Sequence, residues 1–221
     1  VSSSWFENES LNIVENLFGS AIPVVRRVLY GAVMSYYCDE ENVLAYIQMG
    51  DGFDGSRLIR KLDFHLEEGS SLLEIGMGAG KDLDILSNRY DVTGSDFSPI
   101  FLNFYQRRNP QTQLLQLDAA TLKTQKHFQA IYSNKVLQHL TQEELTMSIA
   151  RQYAVLVPGG IAMHSFWAGD KEEEHNGLLF RYYREQDIRN LVKSHFDVIE
   201  MNRYNEMEAG DSIYVILKKK N

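Results

Sequence analysis

Residues 72–81 read LLEIGMGAGK, and this stretch is more informative than any other part of the chain. An apolar run opens it, Glu74 stands near the end of that run, and glycine then recurs at Gly76, Gly78 and Gly80. The run is typical of a buried parallel strand, and the glycines indicate a tight turn whose backbone N–H groups approach a ligand closely. Because ordinary strand-to-helix turns look similar, the meaning of this one depends on the segments that follow.

Three further short runs with strand character end in polar residues. The first ends at Asp96, twenty positions after Gly76, which fits one strand–turn–helix–strand unit. An acidic residue at that distance can accept hydrogen bonds from both hydroxyls of a ribose. Ligands of open α/β sheets bind at the carboxyl ends of the strands, so one crevice lined by these residues is predicted. The strand ends are Gly76, Asp96, Asp118 and the pair Ser133 and Asn134.

Two classes of cofactor fit such a crevice, and the glycine spacing distinguishes them. A dinucleotide fingerprint, G-x-G-x-x-G, needs a small residue at position 81, where Lys81 stands. A diphosphate at the following helix N-terminus would also be repelled by the charge of Glu74. A cofactor that carries a sulfonium and an amino acid, and no phosphate, suits acidic strand ends better.

With these features the chain resembles the class I S-adenosylmethionine (SAM)-dependent methyltransferases of the small-molecule type, from about position 46 to about position 218. The resemblance rests on five motifs in one order. They read EIGMGAG at 74–80, DF at 96–97, DA at 118–119, VLQHL at 136–140 and LVPGG at 156–160. The resemblance implies SAM as the cofactor, with the first motif around its methionine portion.

The resemblance also assigns roles to single residues. It implies that Asp96 holds the ribose hydroxyls, that Phe97 packs beside the adenine, and that Asp118 accepts a hydrogen bond from the adenine amino group. The Ala119 N–H is expected to reach a ring nitrogen, and a strand-end backbone carbonyl to meet the methionine amine. The expected cofactor-binding residues are Glu74, Gly76, Met77, Gly78, Gly80, Asp96, Phe97, Asp118, Ala119, Ser133 and Asn134.

Several of these residues also have an ordinary structural interpretation. Asp96 and Asp118 can be helix caps, and the glycines can mark a plain turn. His139 can be a hydrogen-bonded residue that closes the turn before Thr141. At the level of the sequence both interpretations stay open.

The expected fold is α/β and Rossmann-like, with a seven-stranded, mostly parallel sheet, an antiparallel last strand and helices on both faces. Its strand order, 3-2-1-4-5-7-6, follows from the resemblance. The residues themselves predict a fifth strand at 161–167, and a sixth and a seventh at 197–204 and 211–217, paired antiparallel across a short link. A capping box at 141–144 predicts the start of a helix. Other helices are predicted at 56–66 and 184–195.

Length and composition indicate one compact domain. The 221 residues suffice for a sizeable core. We expect residues 1–45 to form an N-terminal helical extension that acts as a lid, and residues 46–221 to form the SAM-binding methyltransferase domain. The chain begins at Val1 instead of methionine, which fits a piece trimmed from a longer product.

Charge and cysteine content restrict the partners. The formal net charge of −8 argues against a nucleic-acid footprint, which needs a basic face. The single cysteine, Cys38, excludes an internal disulfide framework and fits a reducing compartment. No run of about eighteen apolar residues exists, so no membrane span is expected. We therefore expect a cytoplasmic protein without nucleic-acid or membrane partners, whose oligomeric state stays open.

The sequence lacks the motifs of several other methyltransferase classes, and this restricts the kind of methyl acceptor that is expected. Asn134 is not followed by the Pro-Pro-aromatic triplet of amino-methylating DNA enzymes, and Cys38 lacks the Pro-Cys context of cytosine-C5 enzymes. No carboxylate cluster indicates a catalytic magnesium, and no metal is expected. The expected acceptor is an oxygen, nitrogen or sulfur atom of an unidentified small molecule. Two alternatives are a protein or RNA methyltransferase, and a SAM-binding domain without catalysis.

A general base is needed only when the acceptor must lose a proton, because positioning supplies much of the rate in methyl transfer. His139 is the candidate catalytic residue, since its titration range matches neutral pH. His164 is the second candidate for this role. The expected acceptor-site residues are Phe53, His164, Trp167 and Tyr182.

Overall fold

The computed structural model describes residues 36–50, 52, 54–175 and 177–221. Phe53, one of the expected acceptor-site residues, lies outside the described residues. The same is true of most of the expected N-terminal extension. The predicted boundary between residues 45 and 46 falls within the first described helix, α1 (Glu40–Met49).

A seven-stranded sheet forms the centre of the fold. Its strands lie side by side in the order β3 (Gln113–Gln116), β2 (Asp91–Asp96), β1 (Ser71–Ile75), β4 (Phe128–Asn134), β5 (Leu156–Trp167), β9 (Ser212–Lys219) and β8 (Phe196–Tyr204). The strand β9 runs antiparallel to both of its neighbours, and the other pairs are parallel. When two short strands that form a separate hairpin are left out of the numbering, β8 and β9 become the sixth and seventh strands. The predicted order 3-2-1-4-5-7-6 is then confirmed.

A separate hairpin of two short strands, β6 (Glu172–His175) and β7 (Leu178–Arg181), follows β5. We call it the β6–β7 hairpin. The sequence did not indicate it, because EEEH at 172–175 shows no alternation of apolar and polar residues. The hairpin contacts the 3₁₀ turn Leu137–His139, which follows β4 at the strand ends.

Helices cover both faces of the sheet, as expected. They are α2 (Ser56–Leu62), α3 (Lys81–Leu86), α4 (Pro99–Arg108), α5 (Gln142–Val155) and α6 (Glu185–Val192), in addition to α1. The capping box is confirmed: the Glu144 N–H donates to Thr141 Oγ1 at 3.3 Å, and the Thr141 N–H donates to the Glu144 carboxylate at 3.0 Å. The helices α2 and α6 are shorter than the predicted 56–66 and 184–195.

The alternation of side chains along β1 divides the core into two layers. Leu73 packs in one cluster with Leu145 of α5 and Ile188 of α6. Its neighbour Leu72 is also fully buried and packs in the other cluster with Leu83 of α3. The sheet is therefore held rigidly between helices, and the parallel strands β1, β2 and β4 end side by side at one edge.

Candidate active site

A cleft crosses the carboxyl ends of β1 to β4 and has two adjoining lobes of about 180 Å³ each. The first, which we call the Asp118 lobe, is lined by residues that include Asp96, Phe97, Asp118, Ala119 and His139. The second, the Glu74 lobe, is lined by residues that include Asp54, Glu74, Met77, Lys81, Asp82 and Glu206. Walls shared by both lobes are Tyr46, Gly76, Gly78, Asn134 and Lys135.

The glycine turn forms the floor of both lobes, and its shape requires glycine. Gly76 has a φ of +69° and Gly80 a φ of +81°, in the left-handed region that side chains disfavour. A Cβ on Gly76 would lie 2.5 Å from Val136 Cγ2, and one on Gly80 would lie 2.2 Å from Tyr105 Cδ2. The turn therefore excludes larger residues at these two positions for reasons of both conformation and space.

Asp96 links the glycine turn to the next helix. One carboxylate oxygen accepts from the Gly78 N–H and the other from the Ser98 N–H, both at 2.9 Å. Burial raises the pKa of Asp96 to about 6, although these N–H donors act in the opposite direction. The Phe97 N–H also contributes, and a carboxylate with about four acceptor sites then keeps capacity for a further hydroxyl donor.

Asp118 is a cap and also lies at the wall of the cavity, which are the positions expected from the two interpretations that the sequence left open. Its Oδ1 accepts from the N–H groups of Ala120 at 2.6 Å and Thr121 at 3.1 Å, which makes it a cap for the turn after β3. It also lines the Asp118 lobe beside Phe97 and Ala119. The capping contact thus fixes the carboxylate at the wall of the cavity.

The Glu74 lobe contains two buried carboxylates. Glu74 is 3% exposed, and its Oε2 has no hydrogen-bond partner among the described residues. Burial raises the pKa of Glu74 well above its ordinary value, and the charges of Asp82, Asp96 and Asp84 add to the effect. A buried carboxylate oxygen without a donor is costly. The lobe therefore suits a ligand that brings a positively charged donor.

Asp82 is a site residue that the sequence interpretation missed. Its carboxylate accepts from the Gly55 N–H at 2.6 Å, the Tyr132 hydroxyl at 2.8 Å and the Asn134 side-chain amide at 3.0 Å. It thereby joins the start of α2, the glycine turn and the end of β4. An acidic residue in the first helical turn after a glycine loop is the feature that points to it.

Ser133 and His164 form a buried pair away from the cleft. The Ser133 hydroxyl lies 2.8 Å from His164 Nδ1, and neither residue lines the two lobes. Burial lowers the pKa of His164 to about 3. His164 is therefore not in the position expected for an acceptor-site base, because its strand has neighbours on both sides and turns this side chain into the core.

Trp167 and Tyr182 also lie outside the two lobes. Lys135, which has a φ of +58°, donates to the Phe166 carbonyl at 3.1 Å and to the Ser212 hydroxyl at 2.6 Å, and its Nζ lies 3.5 Å from the centroid of the Trp167 ring. Trp167 thus packs against a lysine. Tyr182 lines a different groove, beside α6, and its hydroxyl donates to Glu173 at 3.2 Å.

His139, the candidate base, lines the Asp118 lobe. Its Nδ1 lies 2.7 Å from the Leu179 carbonyl of the β6–β7 hairpin. Burial lowers the pKa of His139, and the carbonyls of Leu179 and Lys135 partly counteract this. The imidazole is therefore a neutral ring near pH 7, held beside the cavity.

Aromatic side chains around α1 cover the Asp118 lobe, and the sequence did not single them out. The rings of Tyr37 and Tyr46 each lie 5.5 Å from Phe101, and 5.6 Å from one another. The Ser98 hydroxyl donates to the Tyr37 carbonyl at 2.6 Å, which ties this segment to the end of β2. Part of the expected lid region thus packs directly over the cleft.

Two absences concern the described residues alone. They contain no cluster of three or more histidine, cysteine, aspartate or glutamate side chains placed to hold a metal ion. None of the helices in the described ranges has the length and apolar character needed to cross a membrane.

Comparison with known proteins agrees with this geometry. Residues 72–160 match a family model described as a methyltransferase domain. Over 99 residues, or 43% of this chain, the sequence is 30% identical to trans-aconitate 2-methyltransferase of Methylobacterium radiotolerans. That match spans 37% of the relative, so the chain covers little more than a third of its length.

Solved structures share the fold over a larger part of the chain. A 1,6-didemethyltoxoflavin-N1-methyltransferase of Burkholderia thailandensis, with bound 1,6-didemethyltoxoflavin and S-adenosylhomocysteine (SAH), has a TM-score of 0.71 at 22% identity and covers 88% of both chains. The N-methyltransferase NodS of Bradyrhizobium japonicum, in complex with SAH, has a TM-score of 0.65 at 16% identity and covers 88% of this chain and 100% of its own. Residues 72–160 are therefore similar to the methyltransferase domain family, and the described part of the chain shares the fold of solved SAM-dependent methyltransferases.

Proposed function

We propose that this protein is a SAM-dependent methyltransferase that acts on an oxygen, nitrogen or sulfur atom of a small molecule. The observation that carries the proposal is the acidic cleft at the strand ends of a methyltransferase domain. Glu74, Asp96 and Asp118 line its two adjoining lobes, and the buried Glu74 Oε2 has no donor among the described residues. A phosphate-bearing cofactor would meet repulsion there, whereas a cationic one is attracted.

The two lobes bind different portions of the cofactor. In the Asp118 lobe, Asp96 accepts from the ribose hydroxyls, while Asp118 and the Ala119 N–H bind the adenine beside Phe97. The Glu74 lobe takes the methionine portion, with the carboxylates facing its amine and the backbone carbonyl at the end of β4 close to it. The aromatic rings of Tyr37 and Tyr46 keep water from the bound molecule.

The chemistry follows from one property of the cofactor. When bound, SAM supplies a methyl group on a positively charged sulfur, which leaves as the neutral thioether of SAH. His139 accepts the proton of an acceptor that must lose one, and it lies beside the same cavity. Where the acceptor arrives without a proton to lose, the cleft acts by positioning alone.

Small molecules are the proposed acceptors. The similar proteins are named for trans-aconitate and for 1,6-didemethyltoxoflavin, which supports this class. The net charge of −8 supports a protein that does not bind nucleic acid. We place the protein in the cytoplasm, where its single cysteine, the exposed Cys38, would stay reduced.

Methyl-labelled SAM and a metabolite extract test the function directly. At a SAM concentration below the Kd of the parent protein, mass spectrometry should detect a labelled small molecule with the parent and much less of it with Asp96→Ala. Label on protein or RNA would select the first alternative class of acceptor. SAM binding without any labelled product would identify a SAM-binding domain that does not catalyse, and tight NADH binding would overturn the cofactor assignment.

A further inference from the structure

The β6–β7 hairpin contacts both the imidazole of His139 and the cavity beside it. The Leu179 carbonyl lies 2.7 Å from His139 Nδ1. The next residue, Phe180, meets the imidazole in an edge-to-face arrangement with ring centroids 4.6 Å apart and an interplanar angle of 85°. Leu178, at the start of the same strand, lines the Asp118 lobe together with His139. Three successive residues of β7 thus surround the candidate base.

The Leu179 contact determines which ring nitrogen of His139 carries hydrogen. A carbonyl oxygen only accepts hydrogen bonds, so a nitrogen 2.7 Å away from it must be the donor. A neutral imidazole has one N–H group, and with that hydrogen on Nδ1 the lone pair is on Nε2. A histidine side chain in water prefers the opposite tautomer. The hairpin therefore reverses the ordinary tautomer preference of the imidazole. A backbone carbonyl beside one ring nitrogen commonly fixes the tautomer of a functional histidine in this way.

We propose that the β6–β7 hairpin is a positioning element: the Leu179 carbonyl holds His139 in the Nδ1–H tautomer, so that Nε2 is the nitrogen that takes the acceptor's proton. This inference rests on the proposed function, in which His139 is the base. The acceptor's bond to hydrogen would break and its proton would join Nε2, while the freed electron pair would take the methyl group, whose bond to sulfur would break with its electron pair left on SAH. The imidazolium still donates from Nδ1 to Leu179, so the contact persists throughout.

The tautomer can be measured without knowledge of the acceptor. Long-range ¹H–¹⁵N NMR of protein labelled at histidine separates protonated from unprotonated ring nitrogens, and His139→Gln assigns the signals. At slightly alkaline pH we expect Nδ1 of His139 in the protonated range and Nε2 in the unprotonated range. The reverse result, with Nε2–H donated to another acceptor such as the Lys135 carbonyl, would overturn the proposal.

Removal of the hairpin tests its role. The Tyr182 N–H donates to the Lys171 carbonyl at 2.9 Å, so the ends lie close enough for an Asn-Gly turn to replace residues 172–181. In the shortened protein, the His139 hydrogen should move to Nε2. An Nδ1–H tautomer that persists without the hairpin would contradict the proposal.

Point variants provide a second test that keeps the backbone of the hairpin. Phe180→Ala removes the ring that packs on the imidazole but keeps the Leu179 carbonyl, so the Nδ1–H tautomer should persist, and a move of the hydrogen to Nε2 would contradict the proposal. Glu174→Ala, at an exposed position on β6, is the matched control and should preserve the parent tautomer. Calorimetry with SAM on each variant tests the cofactor assignment separately, so failure of either proposal can be recognised.

Discussion

At the scale of single residues, Asp82, Asp96 and Asp118 each combine a structural contact with a place at the cavity wall. Asp96 illustrates this, because its two oxygens hold the N–H groups of Gly78 and Ser98 while the side chain lines the Asp118 lobe. The sequence left a choice between a cap and a ligand residue for Asp96 and Asp118. The geometry shows the capping contacts, and an acceptor fixed by backbone donors is also preorganised for a further donor, so the proposed ligand role is compatible with the cap.

Substitution of Asp96 tests the ribose contact. Asp96→Ala removes a charged acceptor, so SAM binding should weaken by about 1.5–3 kcal/mol. Isothermal titration calorimetry on the folded variant measures the change, and Asp91→Ala at the exposed start of the same strand is the control. Unchanged affinity in Asp96→Ala would remove this residue from the binding site.

The pH dependence of binding follows from the same carboxyl group. Its pKa is raised from 3.8 to about 6 in the free protein, so the folded state holds a proton that the unfolded state has lost. This group therefore lowers stability as the pH rises between these two values. SAM needs the ionised form, so its affinity should increase as the pH rises through about 6, with proton release upon binding. Glu74 acts in the same direction because its pKa is also raised.

Calorimetry over that pH range, in buffers with different heats of ionisation, measures affinity and proton release together. An affinity that stays flat across the range would show that Asp96 does not change its ionisation when SAM binds.

His139 is the residue whose substitution separates binding from chemistry. His139→Ala should leave SAM binding nearly intact and lower turnover of the labelled acceptor by ~10²–10⁴-fold. His139→Gln should not restore turnover, because glutamine can orient an acceptor but cannot take its proton. The exposed His127, before β4, supplies the control variant His127→Ala. Loss of SAM binding in His139→Ala would indicate a structural histidine instead.

Not every residue expected near the acceptor lies there, and the reason is physical. His164 stands on β5, which pairs with β4 on one side and β9 on the other, and its side chain is buried in the core instead of facing the cleft. Trp167 is engaged by Lys135, and Tyr182 faces another groove. Strand ends can be located from turn residues, whereas the direction of a side chain in a twice-paired strand depends on packing that the sequence does not display.

At the scale of elements, the strands that end in glycine or acidic residues were predictable and the covering segments were not. Apolar runs followed by turn residues locate β1 to β5. The β6–β7 hairpin has two strands of four residues each, and the first of them is entirely polar. The contact between α1 and α4, made by Tyr46 and Phe101, depends on tertiary packing without a local pattern.

Asp82 connects three elements. Two ligands that differ in the amino-acid portion can separate its role in binding from its role in the fold. In Asp82→Asn, an amide N–H₂ replaces one acceptor oxygen and faces donors from Gly55, Tyr132 or Asn134. SAH binding should therefore weaken by about 1–3 kcal/mol. Methylthioadenosine, which lacks the amino-acid portion, should bind the variant and the parent equally. Calorimetry with both ligands decides the matter, and an equal loss for both would mean that Asp82 only supports the fold.

At the scale of the whole molecule, the cleft lies between parts of the chain that are distant in sequence, from α1 to the segment after β8. A ligand bound there stabilises the native state as a unit. SAH at a hundred times its Kd should add about 2.7 kcal/mol. For a chain of this length, the melting temperature should rise by about 5–10 °C. Differential scanning fluorimetry measures the shift, and NADH at the same concentration should produce none.

The fold class and strand order were predictable because the five motifs stand in one order along the chain, and the family resemblance that they carry implies the strand order. The volumes of the two lobes and the position of the β6–β7 hairpin depend on packing between segments that are distant in the chain. No local sequence pattern predicts this packing. The prediction is therefore most complete for the sheet and least complete for the surface that faces the acceptor.

The position of β9 between β5 and β8 has a consequence for synthesis on the ribosome. The strands β3, β2, β1, β4 and β5 all precede β8 in the chain, so this half of the sheet can assemble while translation continues. When β8 emerges, its neighbour in the sheet has not yet been made, and the outer edge of β5 is still unpaired. Nascent chains halted between β8 and β9 therefore expose two open strand edges. Their aggregation should end once Ser212–Lys219 has cleared the exit tunnel and fills the gap.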